Sequence, residues 1–346
     1  MKYLFYDLCI LSFWEPHLWR FFFCIIMVGG VKMILLARQT SELQKILEVI
    51  VRRLPRTYNQ YFNYYEHLRR IQAGFAGEQR VDEEWQELDL PSPHYILHDF
   101  QVINHAGSTH QMDTIFLCPH FLLILEIKNI TGILSYDASF AQFIRTTADG
   151  TVEGMSDPFQ QLERHVAWMK RLIQQERLSL PILHAVVLAT KNGILTEDFK
   201  GQPIFHVTGL RSQMQKWLEL HPSVKKREDL FRFANLLLTM HTRVKREINV
   251  PLRDIVKGVL CTNCVDGQPL RYHYKKWLCP RCGLVDRDAL IRTLEDYRLL
   301  VGTKLTNKSF CEFFAIDSPN LAYKLLQQLP LKAEGIKRHR KYWIME

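Results

Sequence analysis

The stretch His110-Gln111-Met112-Asp113-Thr114-Ile115-Phe116-Leu117, then Cys118-Pro119-His120, then Phe121-Leu122-Leu123-Ile124-Leu125-Glu126-Ile127-Lys128-Asn129, decides the fold. Two apolar runs flank a short break containing proline, the pattern of paired strands. Side chains alternate along a strand, so Glu126 and Lys128 fall on one face and Ile127 on the other. An acid and a base at the end of so apolar a strand are costly to bury unless each has a partner. Asp113, on the neighbouring strand, would complete with Glu126 a pair of carboxylates suited to a hard cation. Mg²⁺ takes oxygen ligands and keeps several waters, so one or two carboxylates suffice. Such an ion polarises a phosphoryl oxygen and lowers the pKa of a coordinated water. The Lys128 ammonium would then help activate that water or offset charge on the phosphate. The competing reading is an ordinary surface ion pair between Glu126 and Lys128 beyond the strand end.

Two more residues join this group. Gly74, Glu78, Val81, Trp85 and Leu88 recur at helical spacing, which predicts a helix near residues 75 to 88 with Glu78 on its apolar stripe. A carboxylate there needs a cation, a hydrogen-bond donor or a proton. Alternatively, Glu78 lies at the stripe's edge near the helix start, where the dipole favours it. Gln161 follows Asp157-Pro158, an N-cap and N1 pair that opens a helix to about residue 176. His165, one turn beyond Gln161, reads as a surface histidine.

In this order the chain carries Gly77-Glu78, Gln111-x-Asp113, Glu126-x-Lys128-Asn129-x-x-Gly132 and Pro158-x-x-Gln161. This set resembles the nuclease-related domain (NERD) family, itself similar to the PD-(D/E)xK restriction-endonuclease-like enzymes. The resemblance spans roughly residues 70 to 190, and the Glu-x-Lys-Asn-x-x-Gly block is its most specific part. It implies Asp113 and Glu126 as ligands of Mg²⁺ (or Mn²⁺), and Lys128 as the catalytic lysine. Glu78 would be the acid from the preceding helix and Gln161 the polar residue from the following one. Met112 stands where the wider superfamily is named for proline. A resemblance of this kind implies fold more firmly than turnover.

Cys261-Thr262-Asn263-Cys264 and Cys279-Pro280-Arg281-Cys282 form two CxxC knuckles. Paired knuckles at this spacing match a four-cysteine zinc ribbon, whose closed coordination makes the Zn²⁺ structural. The intervening Leu270 to Tyr274 and Trp277-Leu278 alternate as short strands would. A thioredoxin-like redox site lacks the expected βαβ surroundings. Cys9, Cys24, Cys118 and Cys311 show no disulfide framework.

Beyond the ribbon, Leu305 to Phe314 predicts a short helix and Ala315-Ile316-Asp317-Ser318 a turn. Pro319 to Leu329 follows as a second helix with Leu321, Leu325 and Leu329 inward. Lys332 to Ile344 reads as a hairpin with a basic arm. Helix-turn-helix plus hairpin resembles a winged-helix domain, whose second helix enters the major groove. A helical protein-interaction module is the alternative. The chain has 45 basic and 36 acidic residues, a net charge of +9, and residues 251–346 hold 17 and 10 of these. A positive surface attracts phosphate. Lys275, Lys276, Lys337, Arg338, Arg340 and Lys341, beside Tyr272, Tyr274, Trp277, Tyr342 and Trp343, offer charge and stacking together, which suits DNA first and RNA second.

Residues 3 to 36 are unusually apolar but are interrupted by Asp7, Glu15-Pro16, Arg20 and Lys32. The cleanest run, Phe21 to Val31, is short of the about 20 residues of a bilayer span. No small-residue cleavage site is evident. Translation beginning at Met33 is one expectation for this end and a weak membrane anchor is another; without residues 1–32 no membrane partner is expected. Leu43, Ile46, Leu47, Val49 and Ile50 give a helical face that Pro55 breaks. Tyr58, Tyr61, Phe62, Tyr64 and Tyr65 form an aromatic cluster expected to pack on the nuclease-like core. Leu183 to Ala189 and Ile204 to Val207 read as buried strands, and 211 to 247 as helix interrupted near His221-Pro222.

The expected architecture is α/β: a restriction-endonuclease-like mixed sheet flanked by helices, plus a zinc ribbon and a winged-helix-like tail. The segments are an apolar 1–32, a helical extension 33–73, the nuclease-related domain 74–210, a helical region and linker 211–250, the ribbon 251–288 and the tail 289–346. The leading function is Mg²⁺-dependent phosphodiester hydrolysis of DNA, with ribbon and tail binding nucleic acid. The alternatives are a non-catalytic DNA- or RNA-binding protein that keeps the fold, or a protein-interaction scaffold. A cytoplasmic location fits the reduced cysteines, and a homodimer is an expected assembly for double-strand cutting.

Overall fold

The computed structural model describes residues 32–345 except 105–106, 224–226, 245–247, 249, 265–266 and 337–338. A six-stranded mixed sheet organises the first two thirds. Its strands are β1 (Lys32–Leu36), β2 (His94–Ile103), β3 (Thr109–Leu117), β4 (Leu122–Lys128), β8 (Ile182–Leu188) and β10 (Ile204–His206), in that spatial order. Tight connections make β2, β3 and β4 antiparallel; β1 runs parallel to β2, and β4, β8 and β10 are mutually parallel. A smaller sheet holds β5 (Gly132–Asp137), β6 (Gln142–Thr146), β7 (Val152–Met155) and β9 (Gly193–Leu195).

Helices cover both faces of the main sheet. The α2 helix (Tyr61–Gln86) sets Val81 and Trp85, with Met214 of α4 (Leu210–Leu220), against Phe116, Leu123, Leu125 and Ile127. On the other face, α3 (Pro158–Gln175) and α5 (Arg227–Met240) cover Ile115, Leu117, Leu122 and Ile124. Central strand β4 is therefore buried on both sides, which is why Leu122 to Leu125 read as an unbroken apolar run rather than an alternating one. Each Leu or Ile side chain so buried contributes about 1.5–3 kcal/mol of transfer free energy.

The predicted helix from Pro158 is present, capped by Asp157 Oδ1 accepting from Phe159 N at 2.8 Å. The helix expected near 75 to 88 is the second half of α2. The helical extension expected over 33–73 is helical only in part: residues 32–36 form edge strand β1, and the helix α1 (Glu42–Arg53) starts after its N-cap Ser41. Five residues with Leu36 buried against the sheet are too few for periodicity to separate strand from helix.

The C-terminal third builds a separate core. The ribbon strands β11 (Arg271–His273), β12 (Lys276–Leu278) and β13 (Val285–Asp286) form one antiparallel sheet. They are followed by α6 (Ala289–Leu300), β14 (Lys304–Leu305), α7 (Asn307–Phe314), α8 (Pro319–Leu326), β15 (Leu331–Glu334) and β16 (Lys341–Ile344). The last three strands pair in the order β14-β16-β15; Leu325 is buried as the spacing predicts and Leu321 is half-buried, but α8 ends at Leu326, so Leu329 is buried beyond the helix and not on it. Three helices with a strand that returns onto the hairpin give the winged-helix-like arrangement a first helix, α6, that the pattern alone did not assign.

Helix α1 joins this second core. Ile46, Ile50 and Leu54 pack with Val259, Leu270, Leu290, Leu294 and Phe313. Buried Arg53 bonds Asp296 through Nε at 2.8 Å and donates through Nη1 to the carbonyls of Val256 and Gly258 at 3.0 and 3.1 Å. The aromatic cluster corrects an expectation here: Tyr58, Tyr61 and Tyr64 pack against the C-terminal core, not the nuclease-like one, while Phe62 is exposed. Aromatic content signals burial but carries no address. Among the described residues no helix is long and apolar enough to cross a membrane; residues 1–31, with the expectations placed on them, lie outside the described residues.

Candidate metal-dependent site at the end of the central strand

The ladder between β3 and β4 runs from Leu117↔Leu122 to Thr114↔Leu125 and stops there. Past that point the strands part, and the Asp113 carboxylate takes over: its Oδ2 accepts from the Ile127 backbone N–H at 2.7 Å. Glu126, buried on the α3 face, accepts from Lys128 Nζ at 2.6 Å, and the same ammonium donates to Gln161 Oε1 on α3 at 3.3 Å. Lys128 is half-buried at the strand end, so the pair is an internal one and not the surface ion pair of the competing reading.

Glu78 reaches the gap from α2, and a glycine makes the approach fit. A Cβ on Gly77 would lie 2.6 Å from Asn129 Cβ, so only hydrogen allows the helix this close to the end of β4. Asn129 stitches the contact, donating from Nδ2 to Ala73 O at 2.6 Å and accepting from Arg80 Nη1 at 3.0 Å. Gly132, last in the Glu-x-Lys-Asn-x-x-Gly block, has φ +105, and a Cβ there would meet Thr146 O at 2.5 Å. Every fixed position of the block therefore has a physical role in this structure.

The electrostatics are those of a crowded acidic cleft. Burial, then the neighbouring Asp113 carboxylate, pushes Glu126 up to about 8 against the pull of Lys128. Burial and Asp113 likewise push Glu78 up to about 7, and burial raises Asp113. Lys128 moves up because Glu126, Asp113 and Glu78 together outweigh its desolvation. Ion pairing alone would lower Glu126 while raising Lys128; both rise. Burial first, and like-charge crowding second, resolve the conflict: the ammonium stays charged while the carboxylates hold a proton among them. A divalent cation would relieve that repulsion, and a set of carboxylate oxygens is the donor type that Mg²⁺ or Mn²⁺ prefers.

Arg38, just after β1, closes the cleft on the α2 side; nothing in the apolar run before it signalled that role. Its Nε and Nη2 fork onto Asp82 at 2.6 and 3.1 Å, and Nη1 donates to Glu78 Oε2 at 2.8 Å. Nη2 also donates to the Asp113 carbonyl and to Thr114 Oγ1, each at 3.0 Å, and faces His98 Nδ1 at 3.2 Å. Burial and Arg38 hold His98 down to about 3, so it is neutral and its contact with Asp82 is not an ion pair.

His165 is not the surface residue its spacing suggested. It is buried on α3, with Nδ1 3.1 Å from Nδ1 of His110, and burial pushes it down to about 4. Helical spacing put it on the Gln161 face correctly; what it missed is that this face is covered by β3.

The four knuckle cysteines gather as expected. Their sulfurs all lie within 4.8 Å of one another, with Cys261–Cys282 and Cys264–Cys279 each at 3.7 Å. A tetrahedron with Zn–S bonds of about 2.3 Å has an S···S edge of about 3.8 Å, so the arrangement supports a structural zinc. Backbone N–H groups of Asn263 and Cys282 point at Cys261 Sγ and Cys279 Sγ at 3.4 and 3.5 Å, supporting thiolate charge. Among the described residues this is the one group of three or more metal-ligating side chains so close together; Glu78, Asp113 and Glu126 are not gathered to that degree.

Lys275 and Lys276 are exposed on the hairpin between the knuckles, Tyr274 and Lys275 both turning through positive φ. Arg340 and Lys341 stand on the wing, where Arg340 donates to Tyr323 OH on α8 at 3.2 Å. Lys337 and Arg338 lie outside the described residues.

Residues 73–189 match the nuclease-related domain family. The matched segment, about a third of the chain, takes in Glu78, Asp113, Glu126, Lys128 and Gln161 and leaves out Arg38 and the cysteines. Neither the curated proteins nor the solved structures yield a match.

Proposed function

We propose that this protein is a divalent-cation-dependent nuclease that hydrolyses phosphodiester bonds in DNA. One observation carries the reading: a buried Asp113 on β3 accepts from the Ile127 N–H, between Glu126 and Lys128 at the end of β4, and from α3 Gln161 binds the lysine that pairs with Glu126. Asp113 and Glu126 would hold Mg²⁺, with Glu78 as the third acid. When bound, the cation supplies Lewis acidity to the phosphoryl oxygen and lowers the pKa of a coordinated water.

The chain's own groups divide the remaining work. Asp113 Oδ2 is fixed by the Ile127 N–H, so the aspartate keeps its place without the cation. Lys128, kept protonated by three carboxylates, is poised to offset charge on the attacked phosphate. Gln161 Oε1 restrains that ammonium. The zinc ribbon and the winged-helix-like tail supply affinity, with Lys275, Lys276, Arg340 and Lys341 meeting phosphates, and RNA is the secondary binding partner. The protein acts in the cytoplasm, and a homodimer would place two sites on a duplex.

The test is cleavage of labelled duplex, nicked, flapped and single-stranded DNA, and of RNA, with Mg²⁺ or Mn²⁺. Lys128→Ala is expected to lower the rate at least a hundredfold, with DNA affinity by fluorescence anisotropy unchanged. Salt-sensitive binding without cutting on any substrate would instead establish a non-catalytic nucleic-acid-binding protein.

A further inference from the structure

Arg38 belongs to neither the matched domain segment nor the C-terminal core, yet it is more completely engaged than any other side chain near the cleft. Its side chain is 5% exposed. It bridges three elements: Glu78 and Asp82 on α2, the Asp113 carbonyl and Thr114 hydroxyl on β3, and His98 on β2. The planar fork matters, since Nε and Nη2 clamp Asp82 while Nη1 is left to direct Glu78. A lysine would present one nitrogen where the acceptors on Asp82, Glu78 and the β3 carbonyl are spread over the three of the guanidinium.

We propose that Arg38 is a positioning residue for the candidate metal site, holding Glu78 at the mouth of the gap where β3 and β4 part so that it serves as the third oxygen donor. The inference rests on the reading of Asp113 and Glu126 as cation ligands. Asp82 anchors the guanidinium from one turn further along α2, and the Asp113 carbonyl ties it to the strand whose side chain would hold the ion. His98, neutral and accepting, gives the fork a partner that adds no competing charge. The structure thus makes the β1 edge part of the site, although it lies outside the segment that matches the family.

The position also distinguishes this role from simple charge balance. Removing a cation from an acidic cleft should, by Coulomb attraction alone, tighten the binding of Mn²⁺. Removing a residue that orients a ligand should weaken it, by about tenfold for a partner of this kind. The two accounts predict opposite signs.

The experiment measures Mn²⁺ uptake by the full-length, zinc-loaded protein without DNA, from the free-Mn²⁺ electron paramagnetic resonance signal. Wild type is compared with Glu126→Gln, Glu78→Gln, Arg38→Gln, Arg38→Lys and the Arg38→Gln/Glu78→Gln double variant. Arg38→Gln is expected to weaken Mn²⁺ binding about tenfold, Arg38→Lys to recover part of the loss, and Arg38→Gln to add less than twofold on the Glu78→Gln background. Unchanged or tighter binding by Arg38→Gln, or losses that multiply in the double variant, would overturn the positioning role and leave the nuclease reading standing. Wild-type uptake no greater than that of Glu126→Gln would remove both. If Arg38→Gln does not fold, Arg38→Lys decides: severalfold weaker binding supports the role and wild-type affinity refutes it.

Discussion

Removing the metal from the cysteine cluster should unfold the C-terminal third while leaving the six-stranded sheet folded. Cys261 and Cys279 are themselves buried members of the core that holds Leu270, Trp277, Leu290 and Phe313. That core is separate from the two that sandwich the main sheet. A structural zinc contributes on the order of 10–16 kcal/mol to small domains at neutral pH. A domain of this size has a net stability of only about 5–15 kcal/mol, so metal loss is large enough to cancel it. The consequence reaches the other end of the chain, because α1 packs in the same core through Ile46, Ile50 and Arg53. The assay has three arms: zinc stoichiometry by colorimetric release, thermal unfolding with and without chelator, and limited proteolysis between α1 and α2. One zinc per chain is expected, with an early melting transition in chelator or in Cys279→Ser and new cleavage near Tyr58. Absence of bound zinc, or a Cys279→Ser melt that overlays wild type, would refute the reasoning.

Other perturbations test separate parts of the account. Gly132→Ala should cost about 2–4 kcal/mol, because φ +105 and a carbonyl 2.5 Å from the new Cβ both oppose it. Gly150→Ala, at φ +85 in open space, should cost about 1 kcal/mol by chemical denaturation. Arg53→Met strips Asp296 of its buried cation and leaves only the half-exposed Arg52, and should destabilise the C-terminal core by about 1–3 kcal/mol, read as a lowered first melting transition. Glu126 and Glu78 are raised to about 8 and about 7, so the folded protein binds protons more tightly than the unfolded chain. In the zinc-loaded protein without added Mg²⁺ or Mn²⁺, the stability of the main-sheet domain should therefore fall as pH rises from the ordinary carboxylate range, about 4.3, through 7 to 8. Mn²⁺ should restore more of the melting temperature at pH 8 than at pH 5.5; an equal gain at both would contradict the crowded-carboxylate picture.

The candidate site was legible because its residues sit on regular elements with strong periodicity. Strand alternation put Glu126 and Lys128 on one face, Asp157-Pro158 fixed the start of the helix bearing Gln161, and two of the strands after it, β8 and β10, lie on the apolar runs, while the short β9 gave no such signal. Knuckle spacing gathered all four cysteines. Contacts made across long sequence separations were not legible. Arg38 meets Glu78 forty residues on and Asp113 seventy-five residues on, and nothing local in Ala37-Arg38-Gln39 announces either partner. For the same reason the tyrosines near residue 60 were assigned to the wrong core. An apolar surface specifies burial, and only tertiary packing specifies against what. His165 failed differently: Leu162, Trp168 and Met169 share its stripe of α3 and are buried, so the spacing did mark a covered face, and only the polar ring itself suggested exposure.

The central claim is that Asp113 and Glu126 hold a hard divalent cation. Anomalous diffraction from a Mn²⁺-soaked crystal of the full-length protein tests it most directly. The account predicts one strong peak at the end of β4, about 2.0–2.3 Å from carboxylate oxygens of both residues, and its loss in Glu126→Gln. A cleft without manganese, in crystals whose anomalous peaks lie elsewhere on the surface, would contradict it.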